Sequence, residues 1–149
     1  MSKKSLIVSA ISGILAICLL FFIGDRNEEI NISSVSGLAV LHNLTNESIA
    51  YEIAMDNNKP TLVEFYADWC TICQGMAATV RELHQQYGDR VNFVMLDIDD
   101  AKWKRQVEQY RVTGVPQFTF LDEEKQVTTS LVGKVPKTIL NNFFEQINS

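Results

Sequence analysis

Apolar side chains recur along the second half of this chain at spacings that switch between helix and strand. Ile49, Ile53 and Ala54 fall at helical spacing before the break Asp56-Asn57-Asn58-Lys59-Pro60, which predicts a short helix ending in a loop. Thr61 to Ala67 (TLVEFYA) is a mostly apolar, β-branched and aromatic run, as a buried parallel strand should be, interrupted by one acid, Glu64. Met76, Ala77, Val80, Leu83 and Tyr87 return to helical spacing and stop at Gly88, which predicts a helix closed by a left-handed glycine. Val91 to Leu96 (VNFVML) reads as the next strand, and Trp103, Val107 and Tyr110 place an apolar stripe on a helix after Asp99-Asp100. Gln117 to Leu121 and Gln126 to Val132 are two strands joined by the acidic turn Asp122-Glu123-Glu124, close enough for an antiparallel hairpin. A closing helix follows, with Pro136 in its first turn and Ile139, Leu140, Phe143 and Ile147 on its buried side. The fold class is α/β: a mixed sheet flanked by helices.

Upstream the pattern differs. Leu6 to Ile23 is uncharged throughout and approaches the roughly 20 apolar residues a membrane-crossing helix needs. A cleaved signal peptide has a shorter apolar core followed by small residues, whereas Phe21-Phe22-Ile23 occupy that place here, so a retained anchor is favoured. Cys18 inside this run is a lipid-facing apolar residue on the same reading. Lys3 and Lys4 precede the span and Asp25, Arg26, Glu28 and Glu29 follow it with negative sum, which keeps the N-terminus cytoplasmic and the rest outside. Residues 25–45 show no sustained period and are expected to be a linker. The predicted organisation is an anchor at 1–24, a linker at 25–45 and a folded domain at 46–149.

At 149 residues the chain has room for one ordinary domain besides the anchor. The net charge of -5 offers no basic surface for phosphates, so nucleic acid is not an expected partner. Three cysteines are too few for a disulfide-stapled scaffold, and two of them stand as Cys70-Thr71-Ile72-Cys73. At a helix start such a pair closes a disulfide with little movement, and the exposed helix amides stabilise a thiolate on the first. Cys70 is thus the expected nucleophile and Cys73 the resolving thiol. Structural zinc would need two more ligands; Cys18, His42 and His84 show no ligand spacing, and no metal is expected.

Val63 to Cys73 (VEFYADWCTIC), Gly114 to Phe118 (GVPQF) and the Val132-Gly133 pair resemble the active-site strand, the cis-proline loop and the final hairpin of thioredoxins, over about residues 46–149. The resemblance implies a thioredoxin-like fold without a cofactor. It implies Trp69 as the exposed aromatic beside the nucleophile, Pro116 as the cis-proline facing the dithiol, Val115 offering its backbone to a client strand, and Gly133 in the substrate groove. It also implies that Glu64 is the buried acid that exchanges protons with the resolving cysteine, with a pKa raised toward neutrality. Departures from the family are Glu64 for Asp, Met95 where a lysine partners that acid, Ala78 where a proline kinks the helix, and Thr71-Ile72 between the cysteines. The lack of a His in that dipeptide argues for a modestly stabilised Cys70 thiolate and hence a reducing couple.

The stretch is especially similar to the membrane-anchored thioredoxin-like proteins of cyanobacteria and chloroplasts. That similarity implies a protein-disulfide reductase in a thylakoid lumen or periplasm. Its electrons would come from a membrane thiol-disulfide transporter of the CcdA or DsbD kind, and its clients would be disulfide proteins such as apocytochromes c. A disulfide oxidase or isomerase, and a tethered chaperone that uses only the groove, are the competing readings.

Overall fold

The computed structural model describes residues 28–147, with side chains from Ser36 to Gln146. Contacts divide the chain into two units, Met1–Val35 and Ser36–Ser149, and the sheet, its covering helices and the Cys70–Cys73 pair belong to the second. The apolar run Leu6 to Ile23 lies outside the described residues. Among those described, no helix is long and apolar enough to cross a membrane.

In chain order the elements are helix α1 (Glu28–Glu47), helix α2 (Tyr51–Met55), strand β1 (Thr61–Tyr66), helix α3 (Thr71–Tyr87), strand β2 (Asn92–Asp97), a 3-10 turn (Ala101–Trp103), helix α4 (Lys104–Gln109), strands β3 (Gln117–Leu121) and β4 (Val127–Val132), and helix α5 (Lys137–Ile147). The sheet order is β2-β1-β3-β4, with β1 parallel to β2 and antiparallel to β3. All six residues of β1 are buried, which explains why its sequence is a nearly unbroken apolar run rather than an alternation. Its side chains divide between two cores. Leu62 and Tyr66 pack with Cys73, Met76, Ala77 and Val80 of α3, while Val63 and Phe65 join Val94, Leu96 and Tyr110 on the other face. Edge strand β4 instead alternates exposed and half-buried positions, matching its polar sequence VTTSLV.

Four local expectations are corrected. Residues 28–47, much of the stretch read as a linker, are helical, and Leu41 and Leu44 are fully or almost fully buried in the α3-side core. Ser, Asn and Gly punctuate this sequence, so packing of Leu41 and Leu44 against the core overrides a weak local signal. Gly88 caps α3 in right-handed geometry (φ -59, ψ -23), not left-handed. Glycine suits the site because a Cβ would stand 2.6 Å from the His84 carbonyl oxygen. On α5, Leu140 and Phe144 are fully buried whereas Ile139 is exposed and Phe143 half-buried, so the inward stripe is rotated from the predicted one; the Ile147 side chain lies outside those described. Phe144 stacks on Tyr87, with ring centres 4.8 Å apart, and Tyr87 donates its phenol proton to Asn141 at 2.8 Å, clamping α5 to α3. Finally, Trp103 stands in the 3-10 turn before α4 rather than on the helix itself, half-buried and edge-on to Tyr51 against the core around Val63 and Phe65.

Candidate redox site

β1 ends at Tyr66 and α3 begins at Thr71, so Ala67–Cys70 is the turn that carries the chain from sheet to helix. Cys70 is the N-cap of α3. Its backbone is extended, its sulfur accepts a hydrogen bond from the Cys73 amide at 3.0 Å, and its carbonyl accepts from Gln74 at 3.1 Å. The two sulfurs form a disulfide with Cα atoms 5.2 Å apart. Cys73 is completely buried and Cys70 retains a small exposed area, so a partner's sulfur can reach only the first. When the disulfide is reduced, the same Cys73 amide and the start of α3 stabilise negative charge on Cys70.

The turn is braced from outside the thioredoxin-like sequence signature. His42 on α1 bonds Asp68 at 2.9 Å, and Gln74 donates through Nε2 to the Asp68 carbonyl at 2.6 Å. Gly37, five residues earlier on α1, lies so close to α3 that a Cβ there would be 2.9 Å from the Gln74 carbonyl oxygen. Trp69 is 65% exposed and its indole N–H donates to Asp99 at 2.7 Å, which fixes the ring beside Cys70. Sequence reasoning missed His42, Asp68, Asp99 and Gly37, because they come together only through contacts between distant parts of the chain.

The second wall comes from the turn before β3. The Val115-Pro116 bond is cis, Pro116 is buried, and its carbonyl accepts from the Gly133 amide at 2.8 Å. Gly133 has φ +85, a conformation that favours glycine, so the residue is required by the backbone here. Val132, half exposed, packs toward Gly114, and Trp69 and Ile72, adjoining the cysteines in sequence, are exposed apolar side chains.

Glu64 lies on the β1 face shared by Leu62 and Tyr66, beneath α3 and the dithiol, and is 1% exposed. It does not reach solvent. The sheet register sets it between Met95 and Phe118, and neither carboxylate oxygen has a hydrogen-bond partner. Burial without a compensating cation or donor pushes its pKa to about 8. Met95 therefore stands beside the acid as the departure from the family pattern implies, and contributes no charge. Two residues on, the buried Tyr66 hydroxyl accepts from Thr45 at 3.2 Å, and burial raises its pKa as well. Among the described residues no group of His, Cys, Asp and Glu could hold a metal.

The Thioredoxin family model matches residues 40–146. The chain belongs to the thioredoxin family. This thioredoxin domain is 46% identical over 100 residues to the chloroplast thioredoxin-like protein HCF164 of Arabidopsis thaliana, a match covering 67% of the chain and 38% of that protein. It is 39% identical over 133 residues to the thiol:disulfide interchange protein TxlA of Synechococcus elongatus, covering 89% of the chain and 66% of the relative. The chain thus spans less than two thirds of either protein. Among solved structures, the Drosophila melanogaster thioredoxin Deadhead superposes with a TM-score of 0.56 at 28% identity, covering 64% of this chain and 86% of that one. Oxidised mitochondrial thioredoxin 3 of Saccharomyces cerevisiae gives 0.55 at 25% identity, covering 64% and 84%. Of the α1 brace, His42 lies inside the family match and Gly37 just before it begins, at residue 40.

Proposed function

We propose that the protein is a membrane-anchored thiol-disulfide oxidoreductase that works as a reductase of client disulfides on the non-cytoplasmic side, in a thylakoid lumen or periplasm. The Cys70 thiolate attacks a client disulfide, forming a mixed disulfide and releasing one client thiolate. Cys73 then loses its proton and attacks Cys70, which frees the second client thiol and leaves the Cys70–Cys73 disulfide. Two electrons pass to the client, and a membrane thiol-disulfide transporter restores the dithiol. Glu64 takes the Cys73 proton in the second step through its ionised form, the minority species that a pKa near 8 leaves at neutral pH and one basic enough to hold the proton it accepts.

The observation that carries the reducing direction is the setting of the Cys70 sulfur. The Cys73 amide at the helix start donates to it, Thr71 and Ile72 bring no charge, and His42 is engaged with Asp68. A thiolate held this modestly makes a weak oxidant. The similarity to HCF164 and TxlA supports the chloroplast or cyanobacterial setting, and apocytochromes c are the proposed clients. Leu6 to Ile23 supply the anchor on the hydropathy argument.

Trapping tests this reading. The Cys73→Ser protein, expressed full length in membranes, should accumulate disulfide-linked clients that disappear in Cys70→Ser/Cys73→Ser. If the single variant captures nothing and the double variant keeps cellular function, thiol exchange is not what the protein does.

A further inference from the structure

Between the first turn of α3 and the turn after β4 lies a cleft of about 210 Å³ lined by Thr71, Ile72, Gly75, Met76 and Lys134. Thr71 and Ile72 are the residues between the two cysteines, and Lys134 follows the positive-φ Gly133 whose amide is tied to Pro116. The cleft therefore adjoins the path a client strand would follow across the dithiol. Its floor is apolar, with Met76 buried and Ile72 half exposed, and no lining residue is acidic. Lys134 is exposed and makes no ion pair with any described residue. The next cation along, Lys137, is occupied by Glu82 at 2.6 Å. The acids near the active-site turn are engaged elsewhere: Asp68 with His42, Asp99 with the Trp69 indole and Asp100 with Lys102.

We infer that Lys134 and this cleft select clients with an acidic side chain two positions from the cysteine under attack. The inference rests on the reductase reading and deepens it. In an extended client, side chains two residues apart point to the same face, so the residue at that spacing faces the protein whenever the client sulfur faces Cys70. An acid there lays its methylene on Ile72 and Met76 and its carboxylate toward Lys134. A basic residue meets an unneutralised ammonium. Rim charges of this kind set partner choice and encounter rate more than total affinity.

The test uses the full-length protein with its dithiol reduced, and disulfide peptides that carry Glu, Gln or Lys two positions before or two after the attacked cysteine, with insulin as an unselective substrate. At low ionic strength the wild type should reduce the Glu peptide about threefold faster than Gln, and Gln faster than Lys, at one of the two positions, as expected of an exposed ion pair. Lys134→Gln should flatten the series and Lys134→Glu should invert it, while added salt should compress it. Insulin reduction with no discrimination among peptides, or an order unchanged in Lys134→Glu, would overturn the role of Lys134 alone. Failure of the wild type to reduce insulin as well would overturn the reductase reading with it.

Discussion

Glu64 is the residue at which sequence, structure and chemistry meet most tightly. An acid within an otherwise apolar strand signals a group kept for its chemistry, and burial without a partner explains why its neutral form persists near pH 7. Its folded pKa lies above its unfolded one, so the folded state holds a proton that the unfolded state releases. Stability is fully present below about pH 4.5 and is lost as pH rises toward about 8. Glu64→Gln should remove that dependence and be more stable than wild type at pH 8, by an amount on the order of a few kcal/mol, in denaturant titrations across this range. The same variant should slow release of a client from its mixed disulfide by on the order of a hundredfold at pH 7 and flatten the pH profile of that step. A general destabilisation would do neither. Met95→Lys places a cation across the register from Glu64, and the midpoint of that profile should move to lower pH. The dithiol, Trp69, Pro116 and Glu64 were legible because they stand in short motifs or break a local pattern. Asp68 and Asp99 were not, since an acid in a loop carries no mark of the side chain it will hold.

At the scale of elements, α1 is the largest departure from what periodicity implied. Its residues are poor helix formers, and its contribution comes through a few contacts with α3 and the active-site turn. Gly37 decides whether that packing matters. In a free helix Gly→Ala stabilises by about 1 kcal/mol, but here the added methyl meets the Gln74 carbonyl at 2.9 Å. Gly37→Ala should therefore lower the thermal midpoint, by roughly 1–3 kcal/mol of stability net of propensity, and a rise would show that α1 is not seated on α3. The His42–Asp68 pair is half exposed at both ends, and His42→Ala should change stability by under about 1 kcal/mol. The strands were legible because β1, β2 and β3 are buried on both faces and read as apolar runs. The face of α5 was not, because Ile139, Leu140, Phe143 and Phe144 offer two overlapping apolar stripes, and only stacking against Tyr87 selects between them.

For the molecule as a whole, the sheet order and the turn from β1 into α3 put Cys70 at a helix start, with Glu64 beneath it and the Pro116–Gly133 link beside it. Chain connectivity alone predicts much of this, since a strand, helix, strand run followed by a hairpin and a helix leaves few topologies. It does not predict that Lys134 comes to line a cleft with Thr71 and Ile72, far away in sequence. The central claim, that electrons leave this dithiol toward clients, is tested most directly by its reduction potential. The full-length protein should be equilibrated in graded dithiothreitol buffers, with the thiol state read by alkylation. A weakly stabilised Cys70 thiolate predicts a value nearer thioredoxin's roughly -270 mV than the about -120 mV of strong oxidants. A value close to -120 mV would contradict the account and make the protein an oxidase.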